Sequence, residues 1–477
     1  MSPSQYRVDV AIPLPIYRTF TYTVDADSAP VPGTRVLVPF RRDERIGWVV
    51  GEGSSEDIKG MRSVRTVLDE HPTVPADLLE LCRWMADYYV APLGITLRAA
   101  LPSVLSDVSR DYLTVLAAPS GEMRSREQRV MDALLSKAGP QRVRTLRRDL
   151  KMGSIWPEIR SLEAKGMVGH ETVPPPTPPV KTRKVVRIID RLGTLATREQ
   201  VFGRAGRQRE AFELLEASGG ASELAHLTGE AGFSRTVVSG LVSKGLVGLF
   251  DEEEFRDPFA DRPAEIPPSL VPTVYQQAAL DTLVGALDEK SPAPFLLHGI
   301  TGSGKTLVYI ELLREALARG RSAIVLVPEI SLTPQTVSRF RAHFGDEVAV
   351  LHSGLSDGER YDAWRLLRTG ERSIAVGARS ALFAPLDNLG VIVVDEEHDG
   401  AYKQEEGVLY NARDMAVLRG SLGRAAVALA SATPSLETWV NARAGRYDRI
   451  DLPERFGPAV LPEIRALDLR DCAPETG

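Results

Sequence analysis

Gly299-Ile300-Thr301-Gly302-Ser303-Gly304-Lys305-Thr306 is the stretch that predicts the fold of this chain most directly. A short apolar run, Phe295-Leu296-Leu297, precedes it, and apolar residues at helical spacing follow from 307 to 317. A glycine, four residues and then Gly-Lys-Thr is the pattern of a phosphate-binding loop between a strand and a helix. Glycines let several backbone N–H groups turn toward a polyphosphate, and the helix N-terminus adds to its attraction. We predict nucleotide binding by all eight residues; the alternative is an incidental glycine-rich turn.

Two side chains of this loop have expected chemical roles. Lys305 is expected to reach the β and γ phosphates, and the hydroxyl of Thr306 to hold Mg²⁺. From residue 270 onward, short apolar strands alternate with helical patterns, which predicts a parallel sheet buried on both faces. A ligand should then lie at the carboxyl ends of the strands. The expected strand cores are 295–297, 323–327, 348–351, 374–376, 391–394 and 426–429.

The composition sets limits on the remaining chain. Its 477 residues exceed a single hydrophobic core, so several domains are expected, and 43% hydrophobic and 26% charged residues are typical of a globular protein. A net charge of −6 gives no global indication of nucleic-acid binding. Two cysteines, Cys82 and Cys472, are too few for a structural zinc site or a disulfide framework. No signal peptide or membrane-spanning run is evident, so we expect a cytoplasmic protein with no membrane partner.

The N-terminal part has the pattern of a small β-barrel or sheet followed by a helix. Alternating segments at 7–12, 19–24, 33–40 and 46–51 predict strands, and residues 76–92 predict a helix with Trp84 among its apolar positions. Arg41, Arg42 and Arg45 lie between two predicted strands, beside aromatic residues. A basic loop with aromatic neighbours is able to hold a nucleic-acid strand, and a solvated hairpin tip is an equally good interpretation.

Two segments have the pattern of winged-helix units. Residues 125–173 predict three short helices followed by a β-hairpin, and 207–250 repeat the pattern after a proline-rich connector at 174–179. Basic side chains on the second helix of the first unit are typical of phosphate-backbone contacts, the alternative being a helix face used for protein contact. An acidic, proline-rich linker follows at 251–268. The basic residues concerned are Arg142, Arg144, Arg147, Arg148 and Lys151.

Asp395-Glu396-Glu397-His398 ends a buried strand of the same predicted sheet. Asp395 is placed to hold Mg²⁺ through water, and Glu396 to orient the attacking water, which are the roles that phosphoryl transfer requires beside a phosphate loop. Together with Ser431-Ala432-Thr433, this motif resembles superfamily 2 helicases of the DExH kind. Further motifs at 327–335, 352–355, 377–385 and 395–414, with Asp87-Tyr88-Tyr89, make nearly the whole chain resemble the primosomal replication-restart helicases.

The resemblance implies further roles. Gln276 would contact adenine, making the nucleotide ATP, His398 would act with the catalytic residues, and Ser431 and Thr433 would couple hydrolysis to domain movement. The loop from Asp399 to Tyr410 would sense DNA. The N-terminal barrel would hold the 3′ end of a leading strand, and the first winged helix would contact duplex DNA. The DNA-binding residues expected in this way are Phe20, Tyr22, Arg379, Ser380, Tyr402, Lys403 and Tyr410, beside Arg144, Arg147 and Arg148.

The combined prediction is a multidomain α/β chain with one RecA-like helicase lobe. Its expected function is replication restart, with ATP hydrolysis coupled to 3′-to-5′ unwinding of forked and single-stranded DNA. Partners would be primosome and replication proteins, with single-strand-binding protein as one candidate. The expected domains are a 3′-end-binding domain (1–105), a winged helix (110–175), a connector with a second winged-helix-like unit (176–250), the linker (251–268), helicase lobe 1 (269–450) and the start of an inter-lobe segment (451–477).

Length marks a difference from the resembled family. Those helicases continue with a second lobe, which carries an arginine finger, and a cysteine-rich zinc insertion, whereas this sequence ends at Gly477. One lobe alone is expected to bind ATP and DNA, to hydrolyse ATP slowly and not to translocate. A fragment and a naturally shortened form are both open. The alternative function is a non-unwinding scaffold that binds forks and recruits replication proteins; a weaker one is an unrelated phosphate-loop ATPase.

Overall fold

The computed structural model describes residues 4–41, 43–54, 60–105, 110–119, 123–137, 139–152, 155–173, 181–256 and 271–455. Arg42, the proline-rich connector at 174–179, most of the expected linker (257–268) and the segment 456–477 lie outside the described residues. The chain divides into two compact units. One comprises Met1–Pro176 with Phe259–Gly477, and the other is Thr177–Pro258.

The N-terminal strands form an antiparallel sheet, closed by one parallel bridge between Thr23 and Ser63, around a small apolar core. Alternating residues such as Val8, Val10, Val36 and Val38 point inward and are buried. Residues 62–68 hydrogen-bond to the edge strand β2 on one side and to β3 on the other, which closes the sheet into a barrel. The strands are β1 (Ser4–Ala11), β2 (Phe20–Ala26), β3 (Arg35–Phe40), β4 (Asp43–Glu52) and β5 (Thr66–Val67), in the order β2-β1-β4-β3-β5.

The helix predicted over 76–92 is α1 (Ala76–Tyr88), which ends four residues earlier than expected, and a second helix that was not predicted, α2 (Leu93–Ala100), follows it. Pro92 lies at the break, and a proline disfavours helical conformation at the residue before it. Leu78, Leu79 and Leu81 are buried as expected. Trp84 is not a core residue: it is 38% exposed and stacks on Tyr88 with the ring centroids 4.5 Å apart.

The first winged-helix unit differs from its prediction in how its sheet forms. The last strand, β8, pairs with β6, which precedes the helices, and therefore does not belong to a hairpin that follows them. The alternation in Tyr112-Leu113-Thr114-Val115 gave the signal for β6, and Leu113 is fully buried under the helices. The elements are β6 (Arg110–Val115), α3 (Ser125–Leu135), β7 (Gln141–Arg142), α4 (Val143–Asp149), α5 (Trp156–Ala164) and β8 (Val168–Val173).

The second compact unit repeats this order of elements with one helix added. Its sheet, β10-β9-β11, has the same order as β7-β6-β8, with the short strand first, the leading strand central and the last strand at the other edge. The predicted helices at 208–216 and 234–243 are confirmed; the strand at 182–188 was missed. The elements are β9 (Thr182–Ile188), α6 (Leu195–Phe202), α7 (Gly206–Ala217), β10 (Ala221–Glu223), α8 (Leu224–Thr228), α9 (Arg235–Ser243) and β11 (Val247–Glu253).

A seven-stranded parallel sheet, in the order β14-β15-β13-β16-β17-β12-β18, forms the core of the lobe predicted over residues 269–450. All six predicted strands are present and buried; the edge strand β18 was missed because its residues are largely polar and exposed. An α-helix connects each pair of consecutive strands except β15 and β16, between which the chain forms a short 3-10 helix (Arg379–Phe383). The elements are α10 (Val274–Ala286), β12 (Phe295–Gly299), α11 (Lys305–Ala318), β13 (Ser322–Leu326), α12 (Pro334–Phe344), β14 (Val348–Leu351), α13 (Asp357–Thr369), β15 (Ile374–Gly377), β16 (Leu389–Asp395), α14 (Ala412–Gly423), β17 (Ala426–Ser431), α15 (Leu436–Arg443) and β18 (Asp448–Leu452).

The N-terminal domain and the lobe are joined by a buried arginine of α14. Arg419 is fully buried and pairs with Asp77 at the start of α1, at 3.0 Å. Its other nitrogens donate to the carbonyls of Leu382 and Ala384, the second at 2.9 Å. A buried charge needs such complete pairing. Arg419 therefore fixes the N-terminal domain beside the 377–385 segment. The predicted multidomain α/β class, with its barrel, winged-helix units and parallel-sheet lobe, is confirmed.

Candidate nucleotide and DNA site

The loop 299–306 connects the carboxyl end of β12 to the first turn of α11 in the way that a phosphate site requires. Gly302 and Gly304 have φ values of +80° and +78°, which glycine adopts without strain. Gly299 has no room for a side chain, because a Cβ there would lie 2.4 Å from Ser303 Oγ and 3.0 Å from Leu452 Cβ. The main-chain N–H groups at the start of α11 face this loop.

Two polar side chains of the loop lie inside it. The ammonium group of Lys305 donates to the carbonyl of Gly299 at 2.9 Å, and only 8% of the residue is exposed. Ser303 Oγ is buried and has no hydrogen-bond partner among the described residues. A buried hydroxyl without a partner is costly unless a ligand satisfies it. The loop thus fits a polyphosphate by its glycines, its cation and this hydroxyl.

Thr306 and Asp395, the expected Mg²⁺ residues, lie on either side of the Tyr309 hydroxyl. Tyr309 Oη is 3.1 Å from Thr306 Oγ1 and 3.2 Å from Asp395 Oδ2. Burial, followed by the negative charge of Glu396, raises the pKa of Asp395. A hydroxyl and a carboxylate beside a phosphate loop form the donor set that Mg²⁺ takes from proteins. The sequence analysis did not identify Tyr309, although its i+3 spacing from Thr306 places both on one helix face.

The acids at the end of β16 are connected to the Ser-Ala-Thr motif at the end of β17. Glu396 has a φ of +45°, a left-handed conformation that turns the chain sharply after Asp395. His398 Nδ1 lies 2.8 Å from Ser431 Oγ and 3.6 Å from Glu396 Oε2. Ser431 Oγ in turn accepts the N–H of Thr433 at 3.0 Å. The structure therefore brings the predicted catalytic residues Glu396 and His398 together with the predicted coupling residues Ser431 and Thr433.

Gln276 lies against the phosphate loop. It is 2% exposed, and its amide nitrogen donates to the carbonyl of Ser303 at 2.8 Å. Its amide oxygen accepts the N–H of Thr273 at 2.9 Å, forming a capping box at the start of α10. Both polar atoms of this side chain are thus engaged within the chain, and they tie α10 to the loop. The exposed residues Ile300 and Thr301 form the outer side of the loop.

Glu397, next to the residues predicted to be catalytic, is the centre of a hydrogen-bond network, and the sequence analysis assigned it no role. The residue is 1% exposed. Its carboxylate accepts the N–H of Ser435 at 2.7 Å, the hydroxyl of Ser435 at 3.0 Å and that of Thr438 at 2.8 Å. Arg413 donates to it at 3.3 Å. Glu397 thereby joins the end of β16 to the start of α15 and to α14. The sequence shows two consecutive acids after Asp395, Glu396 and Glu397, but only the fold shows that the second of them is buried in this network.

The segment from Asp399 to Tyr410 presents fewer aromatic rings than expected. Tyr402 is 1% exposed, and the single hydrogen of its hydroxyl is shared between the carbonyls of Asp395 at 2.5 Å and Leu326 at 3.1 Å. Tyr410 is also buried, edge-on to Phe383. Burial raises the pKa of both phenols. In this structure neither ring is available for stacking on a base, and Tyr402 supports the strand end that carries Asp395. Lys403 is exposed.

A cavity of about 430 Å³ lies between α2 of the N-terminal domain and the lobe. Arg379 and Ser380, expected to track single-stranded DNA, line it, and Arg379 donates to the carbonyl of Lys403 at 3.1 Å. Arg98 of α2 and Arg360 of α13 were not anticipated and also line it. Two acids, Glu329 and Glu406, are among the other lining residues. Several guanidinium groups in one groove are suited to a phosphate backbone.

The N-terminal barrel contains a second cavity of about 390 Å³. Phe20 and Phe40 meet edge-to-face with their ring centroids 5.1 Å apart, and Arg18 and Arg41 lie over these rings. Tyr22 also lines the cavity, but it is 4% exposed, and its hydroxyl donates to the carbonyl of Pro39 at 3.2 Å. Aromatic faces beside arginines are typical of a site for an unpaired nucleotide.

Of the five basic residues predicted on the second helix of the first winged-helix unit, Arg144, Arg147 and Arg148 lie on α4, whereas Arg142 belongs to β7 and Lys151 follows the helix. Arg147 and Arg148 are exposed, and Arg148 is 3.5 Å from Asp149. The side chain of Arg144 lies outside the described residues.

Within the described ranges, no three His, Cys, Asp or Glu side chains are grouped so as to hold a metal ion. The same residues include no helix that is long and apolar enough to cross a membrane.

Gly299→Ala is expected to weaken nucleotide binding at least several-fold, because the new methyl group would displace Ser303 or Lys305 from the loop. Gly285→Ala is the matched control, since a Cβ at this position in α10 meets nothing within 4 Å. Fluorescence titration with an ATP analogue measures both variants. Equal affinity for Gly299→Ala and the wild type would show that the close packing at Gly299 is unrelated to the ligand.

Two families match separate parts of the chain. Residues 9–102 match the family described as 3′DNA-binding domain (3′BD). Residues 269–435 match the family described as Type III restriction enzyme, res subunit. The first match covers the barrel with α1 and α2, and the second covers most of the parallel-sheet lobe.

Similar proteins match nearly the entire chain. The replication restart protein PriA of Bacillus subtilis (strain 168) is 35% identical over 92% of this chain and 54% of its own length. The PriA proteins of Synechocystis sp. and Haemophilus influenzae are 34% and 30% identical, over 94% and 98% of this chain and 55% and 54% of their own lengths. The chain thus spans about half the length of these relatives.

Solved helicase structures resemble only part of the chain. RecG bound to a three-way DNA junction shares 22% identity, with a TM-score of 0.32 over 40% of this chain and 25% of its own. The Pyrococcus furiosus Hef helicase domain shares 19% identity, with a TM-score of 0.30 over 38% of each chain. No functional inference follows from likenesses this weak.

Proposed function

Since the chain belongs to the family of the replication restart protein PriA, we propose that it binds forked DNA and ATP and takes part in ATP-driven 3′-to-5′ unwinding at replication forks. One observation carries the proposal. The phosphate loop, the Asp395–Glu396 strand end and the His398–Ser431 contact meet at the carboxyl edge of one parallel sheet. Phosphoryl transfer from ATP to water requires these groups together.

The division of labour follows from the contacts of each side chain. Lys305 and the loop N–H groups bind the phosphates, and Ser303 Oγ supplies a further hydrogen bond. Thr306 and Asp395 would hold Mg²⁺, which neutralises the charge that builds up on the phosphates during transfer. Glu396 orients the attacking water and accepts its proton. His398, through Ser431 and Thr433, connects this event to β17.

The same proposal assigns DNA to the two cavities of the first compact unit. The barrel pocket with Phe20 and Phe40 would take an unpaired strand end, and the groove with Arg98, Arg360 and Arg379 would hold a single-stranded backbone. Exposed Arg147 and Arg148 would contact duplex DNA. The proposed domain bounds are those predicted from the sequence, with two exceptions. The second winged-helix-like unit runs from Thr182, where β9 starts, to Glu253, where β11 ends, and the lobe extends to Leu452, where β18 ends.

A second candidate function is a fork-binding scaffold that recruits replication proteins without unwinding DNA. The lining of the barrel pocket favours it, because the pocket is formed by residues 18–22, 39–41 and 60–62 and by none of the nucleotide loop. Other primosome proteins, with single-strand-binding protein as one candidate, would be the partners in both cases. We propose that the protein acts in the cytoplasm in either case.

A measurement of DNA-dependent ATP turnover distinguishes the two functions, because only the helicase is expected to show it.

Arg379→Ala is expected to weaken the binding of single-stranded DNA roughly 3- to 30-fold and to lower the salt slope by about one unit, because one phosphate contact is lost. Lys290→Ala removes one positive charge from an exposed site before the amino end of β12 and is the matched control. Fluorescence anisotropy at several salt concentrations measures both variants. An unchanged salt slope for Arg379→Ala would place the DNA path elsewhere.

A further inference from the structure

Tyr309 is a buried tyrosine whose hydroxyl lies between the two side chains expected to hold Mg²⁺. It is 3% exposed, its ring stacks on Phe340 with 6.3 Å between centroids, and it belongs to the core of the lobe. Its hydroxyl is 3.1 Å from Thr306 Oγ1 and 3.2 Å from Asp395 Oδ2. A phenylalanine would fill the same core space, so apolar packing does not account for the hydroxyl.

The directions of these two hydrogen bonds follow from the number of hydrogens present. A carboxylate has no hydrogen to donate, so the single hydrogen of the Tyr309 hydroxyl is directed to Asp395. The contact with Thr306 must then use the hydrogen of Thr306, which Tyr309 Oη accepts. Thr306 Oγ1 is left with its lone pairs unoccupied by this contact, and a hydroxyl binds a cation through its lone pairs.

Asp395 is held from a second direction as well. Its other carboxylate oxygen accepts the N–H of Glu396 at 3.2 Å, and its carbonyl accepts the hydroxyl of Tyr402 at 2.5 Å. Tyr309 therefore fixes the rotation of a carboxylate whose backbone is already fixed. Partners that orient metal-binding side chains in this way commonly affect metal affinity when they are removed.

We propose that Tyr309 is a positioning residue for Mg²⁺, which turns the Thr306 hydroxyl and the Asp395 carboxylate toward one cation. The inference rests on the proposed binding of ATP with Mg²⁺ at this loop. Tyr309 contacts neither phosphate nor water in this role; it acts through Thr306 and Asp395. Without the Tyr309 hydroxyl, the Thr306 hydroxyl would lose its acceptor and Asp395 Oδ2 would lose this hydrogen bond.

Tyr309→Phe tests this inference by separating metal-dependent from metal-free nucleotide binding. ATP affinity is measured by calorimetry in excess Mg²⁺ and again in EDTA, for the wild type, Tyr309→Phe and Tyr361→Phe. Tyr361 is a control because it is a buried tyrosine that stacks on Trp364 in α13, outside this site. The gain in affinity that Mg²⁺ provides is expected to fall roughly 3- to 10-fold in Tyr309→Phe alone, with metal-free affinity unchanged.

Each outcome bears on a distinct claim. An equal Mg²⁺ gain in Tyr309→Phe and the wild type would overturn the positioning role. Equal losses with and without Mg²⁺ would show that Tyr309 only supports the loop, which also overturns it. A wild type that binds no ATP under either condition would overturn the proposed function, and with it this inference.

Discussion

Lys305→Ala is expected to reduce the affinity of this chain for MgATP roughly 10- to 100-fold, since it removes a charge-assisted hydrogen bond to phosphate. In the structure the ammonium group lies inside the loop, on the carbonyl of Gly299 at 2.9 Å, and is 8% exposed. On binding, the ammonium group needs only to replace the Gly299 carbonyl with a phosphate oxygen as its hydrogen-bond acceptor. Few conformational changes are then required for binding, so most of the electrostatic attraction is retained in the affinity.

The control for this prediction is Lys290→Ala, which removes an exposed lysine from the same lobe. Calorimetric titration with MgATP measures both variants, and thermal unfolding verifies that each remains folded. Equal affinities for Lys305→Ala and Lys290→Ala would mean that the loop does not hold the phosphates, even though its sequence and its glycine conformations fit them.

Glu397→Ala is expected to cause the largest loss of stability, about 3–5 kcal/mol in the unfolding free energy of the lobe. The carboxylate accepts hydrogen bonds from Ser435, Thr438 and Arg413, all at 3.3 Å or less. Removing it leaves the Arg413 guanidinium, itself 8% exposed, without this counter-charge, and the N–H of Ser435 and the hydroxyl of Thr438 without this acceptor. Since the chain contains two compact units, amide hydrogen exchange in β16 and β17 measures the lobe separately from the other unit.

Glu437→Ala is the matched control, because Glu437 also faces Arg413, at 3.9 Å, but is 72% exposed. Solvent screens such a pair, so a much smaller loss is expected. If both variants exchange amide hydrogens at the same rate, the buried network around Glu397 does not hold the strand ends together. The same result would remove the physical link that this network provides between the Asp395–Glu396 strand end and α15.

Regular patterns made much of the lobe predictable. Each of the six strands predicted in the sheet is a short, wholly apolar run, and burial on both faces produces that pattern. The phosphate loop was predictable because its glycines meet the backbone requirements of the loop and its Lys-Thr pair supplies the side chains that bind phosphate and Mg²⁺. The edge strand β18 lacks this pattern, since Asp448, Arg449 and Asp451 face solvent. This strand forms because it pairs with β12, and the hydrophobic pattern of its own residues does not indicate that pairing.

Tertiary contacts account for what the sequence did not indicate. Tyr402 was expected at a DNA surface, yet its hydroxyl contacts the carbonyl of Asp395 at the end of β16 and that of Leu326 on β13, which is 76 residues away in sequence. Glu396 and Glu397 are adjacent and chemically identical, but the left-handed turn at Glu396 sends one toward the site and the other into the core. In the sequence, Tyr309 has the spacing of an ordinary apolar position of α11, and only the structure shows its hydrogen bond to Asp395.

DNA-dependent ATP turnover by this chain tests the account most directly. Phosphate release is measured with and without forked DNA, for the wild type and for Lys305→Ala. The predicted result is turnover above background in the wild type, increased by DNA, and loss of both in the variant. Equal, background-level turnover by the two proteins with DNA present would contradict ATP hydrolysis at this loop and leave the fork-binding scaffold as the function.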